Sequence, residues 1–317
     1  MPDGERALVA QLSRVFAGGS PRVRVGLGDD AAVVQARGRR LVVTVDAAVE
    51  GTHFERGWLS LGDVGRRSFH AAASDLAAMG ARPLVAVSAL VLAGPSPAAA
   101  ARRIAQGQAA AARELGCPVV GGNVARGREL SVTTTVLGEV ERPLLRAGAR
   151  AGDQLWLVGR VGVAAAGLAL LRRGPVPAER AARACVAAWR RPRAAIERGR
   201  ALVGRARACI DVSDGLALDA SRLAAASGVR LIFDEPSLVE ALAPEAVAVA
   251  ARLGESALAW ALGGGEDYAL LAAGPRRRRP PWAVLVGEVT TGRGLALRQR
   301  SGRVRRLDPA GYDHLSR

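Results

Sequence analysis

"ACIDVSDGLALDASRLAAASG", residues 208–228, passes from a short apolar run through Ser213, Asp214 and Gly215 into leucines and alanines at helical spacing, and stops at Gly228. That is a strand, a tight turn and a helix, with Gly228 supplying the C-terminal cap. Two carboxylates sit at the junction, Asp211 at the strand's end and Asp214 in the turn. α/β folds place their ligands at such strand ends. Taken alone, Ser213 or Asp214 is better explained as a helix cap than as a catalytic group.

The same alternation extends in both directions. Downstream, "VRLIFD" reads as a strand, an alanine-rich helix follows, "LGGGEDYALLAAG" turns into another strand, and "WAVLVGEV" and "GLALRQR" close the chain as strands. Upstream lie strand "QLWLVG", helix "GVAAAGLALLRR" and an arginine-rich helical stretch to about residue 204. Earlier still, "RVRVGLGDDAAVV" and "RLVVTVDAAVEGTHF" are β-branched runs that predict neighbouring strands. Residues 61–80 predict a helix stopping at Gly80, followed by strand "PLVAVSALVL", a helix over about 97–115, and strands "CPVVGG" and "LSVTTTVLGEV". An amphipathic helix is expected in "MPDGERALVAQLSRVF". "ERPLLRAGARAGD" interrupts the pattern with Pro, Gly and charge, which divides the chain into domains at 1–142 and 143–317. The fold class expected is α/β (α+β), with mixed sheets flanked by helices.

Hydrophobic residues make up 50% of the 317 and aromatics only 3%, so the cores must be built from small side chains. The net charge of +16 invites a nucleic-acid reading. Against it, there is no lysine, the arginines are scattered, and the one dense run, Arg276–Arg279, stands before two prolines as a solvated loop would. Without lysine, a P-loop and a protein-kinase strand lysine are both impossible. With only His53, His70 and His314, and no nucleophile elbow, a serine hydrolase has little to work with. Cys117, Cys185 and Cys209 are widely spaced among apolar neighbours, as reduced, buried thiols of a cytoplasmic protein would be. No apolar stretch is long and charge-free enough to span a bilayer.

What the chain offers instead is aspartate. Asp29 and Asp30 follow the glycine turn of "GLGDDAAVV", Asp46 ends "LVVTVD", Asp75 lies in "ASDLAAMG", and Asp211 and Asp214 flank the turn first quoted. Gathered carboxylates repel one another unless a cation sits between them. An all-oxygen set with no Cys/His cluster suits Mg²⁺. Strand alternation lets only one of Asp29 and Asp30 face such a site.

Together, "GLGDDAAV", "VTVDAAVEGTHF", "ASDLAAMGARP", "VVGGNVARG", "LLRAGARAGD", "IDVSDGLALD" and "GGGEDYALL" resemble the thiamine-monophosphate kinase family, in order and spacing, from about residue 4 to residue 314. The resemblance implies a two-domain fold like that of aminoimidazole ribonucleotide synthetase, a homodimer, and transfer of the ATP γ-phosphoryl group to thiamine monophosphate with several Mg²⁺ ions. Carried over by position, the metal ligands are Asp30, Asp46, Asp75, Asp211 and Asp214, with Thr44, Asn123 and the carbonyl of Val45. Gly121, Gly122, Asn123, Arg146 and Ser213 match nucleotide contacts, and His53 and Glu266 match contacts to thiamine monophosphate. Asp211, Asp214 and Arg146 are the residues expected to carry the transfer itself. The register selects Asp30 for the metal and leaves Asp29 to satisfy the turn backbone or an arginine. Three positions depart from the pattern: Asn123 where Asp is frequent, Val45 where a hydroxyl is frequent, and Pro309 where some members carry a tryptophan against the substrate. The alternatives are another kinase or synthetase of the superfamily, a weakly active paralogue, and, less favoured, a basic nucleic-acid-binding protein. A selenophosphate synthetase would need a reactive residue in a glycine-rich N-terminal segment, and no cysteine precedes Cys117. The hydrogenase-maturation relative ends in cysteine, whereas this sequence ends "HLSR".

Overall fold

The computed structural model describes residues 23–25, 29–36, 39–94 and 97–313. The amphipathic N-terminal helix expected from sequence, and His314, lie outside the described residues. The first half contains β1 (Val23–Val25), β2 (Ala32–Ala36), β3 (Arg39–Val49), α1 (Leu61–Ala78), β4 (Arg82–Leu92), α2 (Pro97–Leu115), β5 (Val119–Arg126) and β6 (Ser131–Val140). Its six strands form one mixed sheet in the order β1-β2-β3-β6-β4-β5. Only β4 and β5 run parallel, because α2 crosses between them; the other pairs are antiparallel. The run "RVRVGLGDDAAVV", expected as one strand, is two, since the chain bends at Asp30 and Ala31 and folds β2 back on β1 with Val23 opposite Val34.

Alternation gives this sheet two unlike faces. Val42, Thr44, Ala86, Ser88, Val132, Thr134 and Val136 are buried, on the side that α1 and α2 cover, whereas Val45, Ala47 and Ala89 on the opposite face are exposed. The helices meet backbone to backbone: a Cβ at Gly65 would lie 2.0 Å from Ile104 O, and one at Gly107 would lie 1.9 Å from Gly62 O.

The second half contains β7 (Gln154–Val158), α3 (Val163–Arg172), α4 (Arg180–Arg190), α5 (Ile196–Leu202), β8 (Ala208–Val212), α6 (Leu216–Ser227), β9 (Arg230–Asp234), α7 (Glu235–Ala241), α8 (Pro244–Leu253), α9 (Ala257–Gly263), β10 (Ala269–Gly274), β11 (Val284–Thr290), β12 (Gly294–Arg298) and β13 (Val304–Arg306). Its sheet runs β13-β12-β9-β11-β7-β10-β8. Two expected helices are divided. The arginine-rich stretch breaks at Pro192 between α4 and α5, and the alanine-rich one becomes three short helices with separate starts: Asp234 accepts from Ser237 N–H, Pro244 opens α8, and Ser256 accepts from Ala259 N–H. Strand β13 has no counterpart in the sequence reading. Arg276–Arg278 form an exposed 3₁₀ turn, and all three cysteines are buried free thiols.

The halves share their cores. Phe69 and Leu76 of α1 and Met79, which caps it, pack with Trp156, Leu202 and Leu270, and Phe54 and Ile104 belong to a cluster with Val163 and Trp189. Helix α5 also meets α1 through glycine, a Cβ at Gly199 falling 1.9 Å from Ala77 O. Among the described residues no single helix is long and apolar enough to cross a membrane.

Candidate active site

Asp211 is the penultimate residue of β8, and α1 runs beside that strand end. Ser74 of α1 donates to Asp211 Oδ2 at 2.7 Å, which puts the next residue, Asp75, at the same junction. The bend before β2 brings in Asp30, so that ligand oxygens of Asp30, Asp75 and Asp211 lie within 4.8 Å of one another. Thr44 Oγ1 donates to Asp75 Oδ2. Burial, then the charge of a neighbouring carboxylate, pushes Asp75 and Asp211 well above the usual carboxylate range. Arg146 grips Asp30 with two bonds of 2.9 and 3.0 Å. Burial works against its charge, but Asp30 outweighs that and holds the guanidinium above its ordinary pKa. One arginine among three carboxyl groups, two of them buried, leaves a cluster of oxygen donors with more acidic groups than cations, which fits a hard divalent cation such as Mg²⁺.

Asp29 accepts from its neighbour's N–H at 2.9 Å and from Arg146 N–H at 3.2 Å, so it organises backbone while Asp30 takes the guanidinium. Burial, followed by the Asp30 charge, raises its carboxyl to about 6. Strand alternation does not separate this pair, because the chain bends there; both carboxylates face Arg146.

The turn after β8 is held by a residue that sequence reading passed over. Asp219 Oδ2 accepts from Ser213, Asp214 and Gly215 N–H at 3.1, 3.0 and 3.1 Å. Arg222 then joins Asp214 and Asp219 at 2.5 and 2.6 Å. Burial and the nearby Asp214 push the Asp219 carboxyl up to about 7. The signal was present as "SDGLALD", a carboxylate one helical turn beyond the backbone amides it caps.

These groups open into a cavity of about 600 Å³ lined by Val45, Asp46, His53, Asp75, Asp211, Ser213, Asp214 and Glu266. The structure thus brings together eight of the residues nominated from sequence, with Asp30, Thr44 and Arg146 bonded into the same cluster. His53 Nδ1 accepts from Val49 N–H at 3.1 Å. His70 is buried elsewhere in α1, its imidazole pushed down to about 4 by burial and Arg66. Trp58, Trp189, Trp260 and Tyr312 also line the cavity; none was nominated. Pro309 does not line it, and Tyr312, whose N–H donates to Asp214 O at 2.9 Å, supplies the aromatic ring of the C-terminal segment instead.

Gly121, Gly122 and Asn123 are not brought to this cluster within the chain. They lie on the exposed edge strand β5, and the pairings Ala47–Thr133, Thr133–Ala89 and Ala89–Asn123 put Asn123 three strands from β3. At the spacing of hydrogen-bonded strands that is about 14 Å from Ala47, on the face away from Thr44 and Asp46.

Known domain families match both halves of the chain. The N-terminal domain of AIR synthase related protein matches residues 28–140, and its C-terminal domain matches residues 150–298. The thiamine-monophosphate kinase of Mycobacterium tuberculosis (strain ATCC 25618 / H37Rv) is 39% identical over 253 residues, spanning 79% of this chain and 74% of that protein. That of Aquifex aeolicus (strain VF5) is 32% identical over 290 residues, 91% of this chain and 92% of the relative. A solved structure described as AaThiL complexed with AMPPCP and TMP superposes with a TM-score of 0.90 at 31% identity, covering 98% of this chain and 97% of that one. With both AIR synthase domains present and relatives of this similarity along most of its length, the chain belongs to the thiamine-monophosphate kinase family.

Proposed function

We propose that the chain transfers the γ-phosphoryl group of ATP to thiamine monophosphate, giving thiamine diphosphate and ADP. The observation that carries this reading is a buried carboxylate cluster opening directly into an aromatic-walled cavity with a further carboxylate, Glu266, on its wall. Phosphate chemistry belongs at the cluster. The aromatic wall and Glu266 suit the flat, cationic thiazolium of thiamine monophosphate. The acceptor is a phosphate oxygen already ionised at neutral pH, so no protein base is required, in keeping with a site that has one histidine on its wall. The residues' task is to hold two anions in line.

Asp30, Asp46, Asp75, Asp211 and Asp214, with the Thr44 hydroxyl and the Val45 carbonyl, would hold Mg²⁺. Bound there, the metal supplies positive charge against the repulsion of the two phosphates. Arg146 keeps Asp30 aimed inward and presents a guanidinium beside the transferring group, Ser213 contacts the nucleotide, and His53 and Glu266 contact thiamine monophosphate. A coupled assay with ATP, Mg²⁺ and thiamine monophosphate is expected to yield thiamine diphosphate; no product at any Mg²⁺ concentration overturns the reading.

We place the domain boundary between residues 142 and 143, in the connection from β6 to β7, and the protein in the cytoplasm, where its three buried thiols stay reduced. We also read it as a homodimer. The exposed face with Val45, Ala47 and Ala89, crossed by Thr133 and Thr135, and the strand β5, at the sheet edge among the described residues and with Val120 and Val124 62% and 63% exposed, offer an apolar-rich surface that a second copy would cover. Gly121, Gly122 and Asn123 stand on that edge, so their nucleotide and metal roles are read as interface roles. Light scattering is expected to give twice the 32.8 kDa chain mass, and Val124→Asp to shift it towards the monomer; a wild-type monomer overturns this assignment.

A further inference from the structure

Arg67 is a charged residue with only 4% of its surface exposed, in the middle of α1. It touches no member of the carboxylate cluster. Its Nη2 donates to Glu266 Oε1 and its Nη1 to the backbone oxygen of Trp189. The guanidinium also sits 4.6 Å from the centroid of the Trp189 ring. Trp189 donates through Nε1 to the other Glu266 oxygen at 2.5 Å, and its ring meets Trp58 edge-on with centroids 6.0 Å apart. Both carboxylate oxygens of Glu266 are therefore fixed, by donors that come from different halves of the chain. The backbone is fixed as well: Glu266 has φ +67, a conformation costly for a side chain with a Cβ, and its N–H donates to Ser213 O at 2.7 Å.

Arg67 and Ser74 are seven residues apart, two helical turns, and so lie on nearly the same face of α1. Ser74 bonds Asp211 and Arg67 bonds Glu266. One rigid helix thus spaces the carboxylate cluster from the Glu266 end of the cavity by about 10 Å along its axis. We propose that Arg67 and Trp189 are positioning residues for thiamine monophosphate: they clamp Glu266 so that it meets the cationic ring of the substrate at a set distance from the phosphoryl-transfer centre. This rests on the reading in which Glu266 contacts that substrate.

The test measures KM for each substrate separately in Arg67→Met, Arg67→Lys and Trp189→Phe. Losing a charge-assisted bond to the half-buried Glu266 carboxylate should raise KM for thiamine monophosphate about tenfold to a hundredfold in Arg67→Met, with KM for ATP unchanged. Arg67→Lys keeps the charge but cannot reach Glu266 and the Trp189 carbonyl together, so it should recover part of the loss. Trp189→Phe keeps an aromatic ring but loses the Nε1 donor and one of the two fused indole rings; a rise of about threefold or more in the same KM, with KM for ATP unchanged, is expected. If Arg67→Met does not fold, Trp189→Phe decides. The inference is overturned if Trp189→Phe and Arg67→Lys both match the wild-type KM, or if the variants lose affinity for both substrates equally. Wild-type turnover of thiamine monophosphate, measured alongside, judges the kinase reading by itself, so the two can fail separately.

Discussion

Asp211→Asn is expected to lower phosphoryl transfer by at least about a thousandfold and at the same time to raise the melting temperature of the metal-free protein. The two effects share one cause. Asp30, Asp75 and Asp211 are clustered, and loss of solvent and mutual repulsion push Asp75 and Asp211 up. A carboxyl whose folded pKa is raised supports the folded state while protonated and loses that support as the pH climbs from its unfolded value through its folded one, so at neutral pH this cluster opposes folding until a cation joins it. The amide keeps an oxygen to accept from Ser74 but carries no charge, so the metal-free variant should gain a few degrees. Added Mg²⁺ should reverse the order, stabilising the wild type more than the variant. Thermal melts with and without Mg²⁺ check this; a variant that melts lower without metal would show that the carboxylates are not held in repulsion.

The second large effect lies away from the site. Gly107→Ala should destabilise the protein by about 3 kcal/mol or more, because its Cβ has nowhere to go without parting α1 from α2. The competing effect has the opposite sign: alanine is the better helix former by about 1 kcal/mol, so an open position would gain from the change. The 1.9 Å approach to Gly62 O decides against it, since the obstacle is backbone and cannot rotate away. Gly57→Ala, where nothing lies within 4 Å of the added carbon, is the control and should stay within about 0.5 kcal/mol of wild type. Denaturant midpoints for the two variants measure the difference.

The strand–turn–helix of residues 208–228 was legible because its pattern is local: β-branched run, turn residues, helical spacing and a glycine at φ +67. The aspartates at strand ends were legible for the same reason, and the motifs that resemble the family singled out Asp30 from Asp29. Other features depended on tertiary context that no short window contains. Arg67 in "GRRSFHAAASD" looks like one more solvated arginine in an arginine-rich chain; only the docking of the second half buries it. Trp189 looks like core, which it is, yet its Nε1 is aimed at Glu266. Asn123 sits beside two glycines as the family pattern asks, but its distance from the cluster depends on strand order, which places β6 and β4 between β3 and β5. The break between β1 and β2 falls beside the glycine turn of "GLGDDAAVV", a local signal that was passed over because valines stand at both ends of the run.

Helix α1 belongs by sequence to the first half, yet its Arg67, Ser74 and the backbone of Ala77 meet Glu266, Asp211 and Gly199 in the second. That has a bearing on how such a chain can be recombined. A hybrid spliced within residues 141–153, with the second half taken from a relative, would inherit a helix shaped for another chain's strand end and another chain's glycine. The connecting segment is a convenient place to cut, but the two halves are fitted to each other along α1 and are expected to be exchanged only as a matched pair.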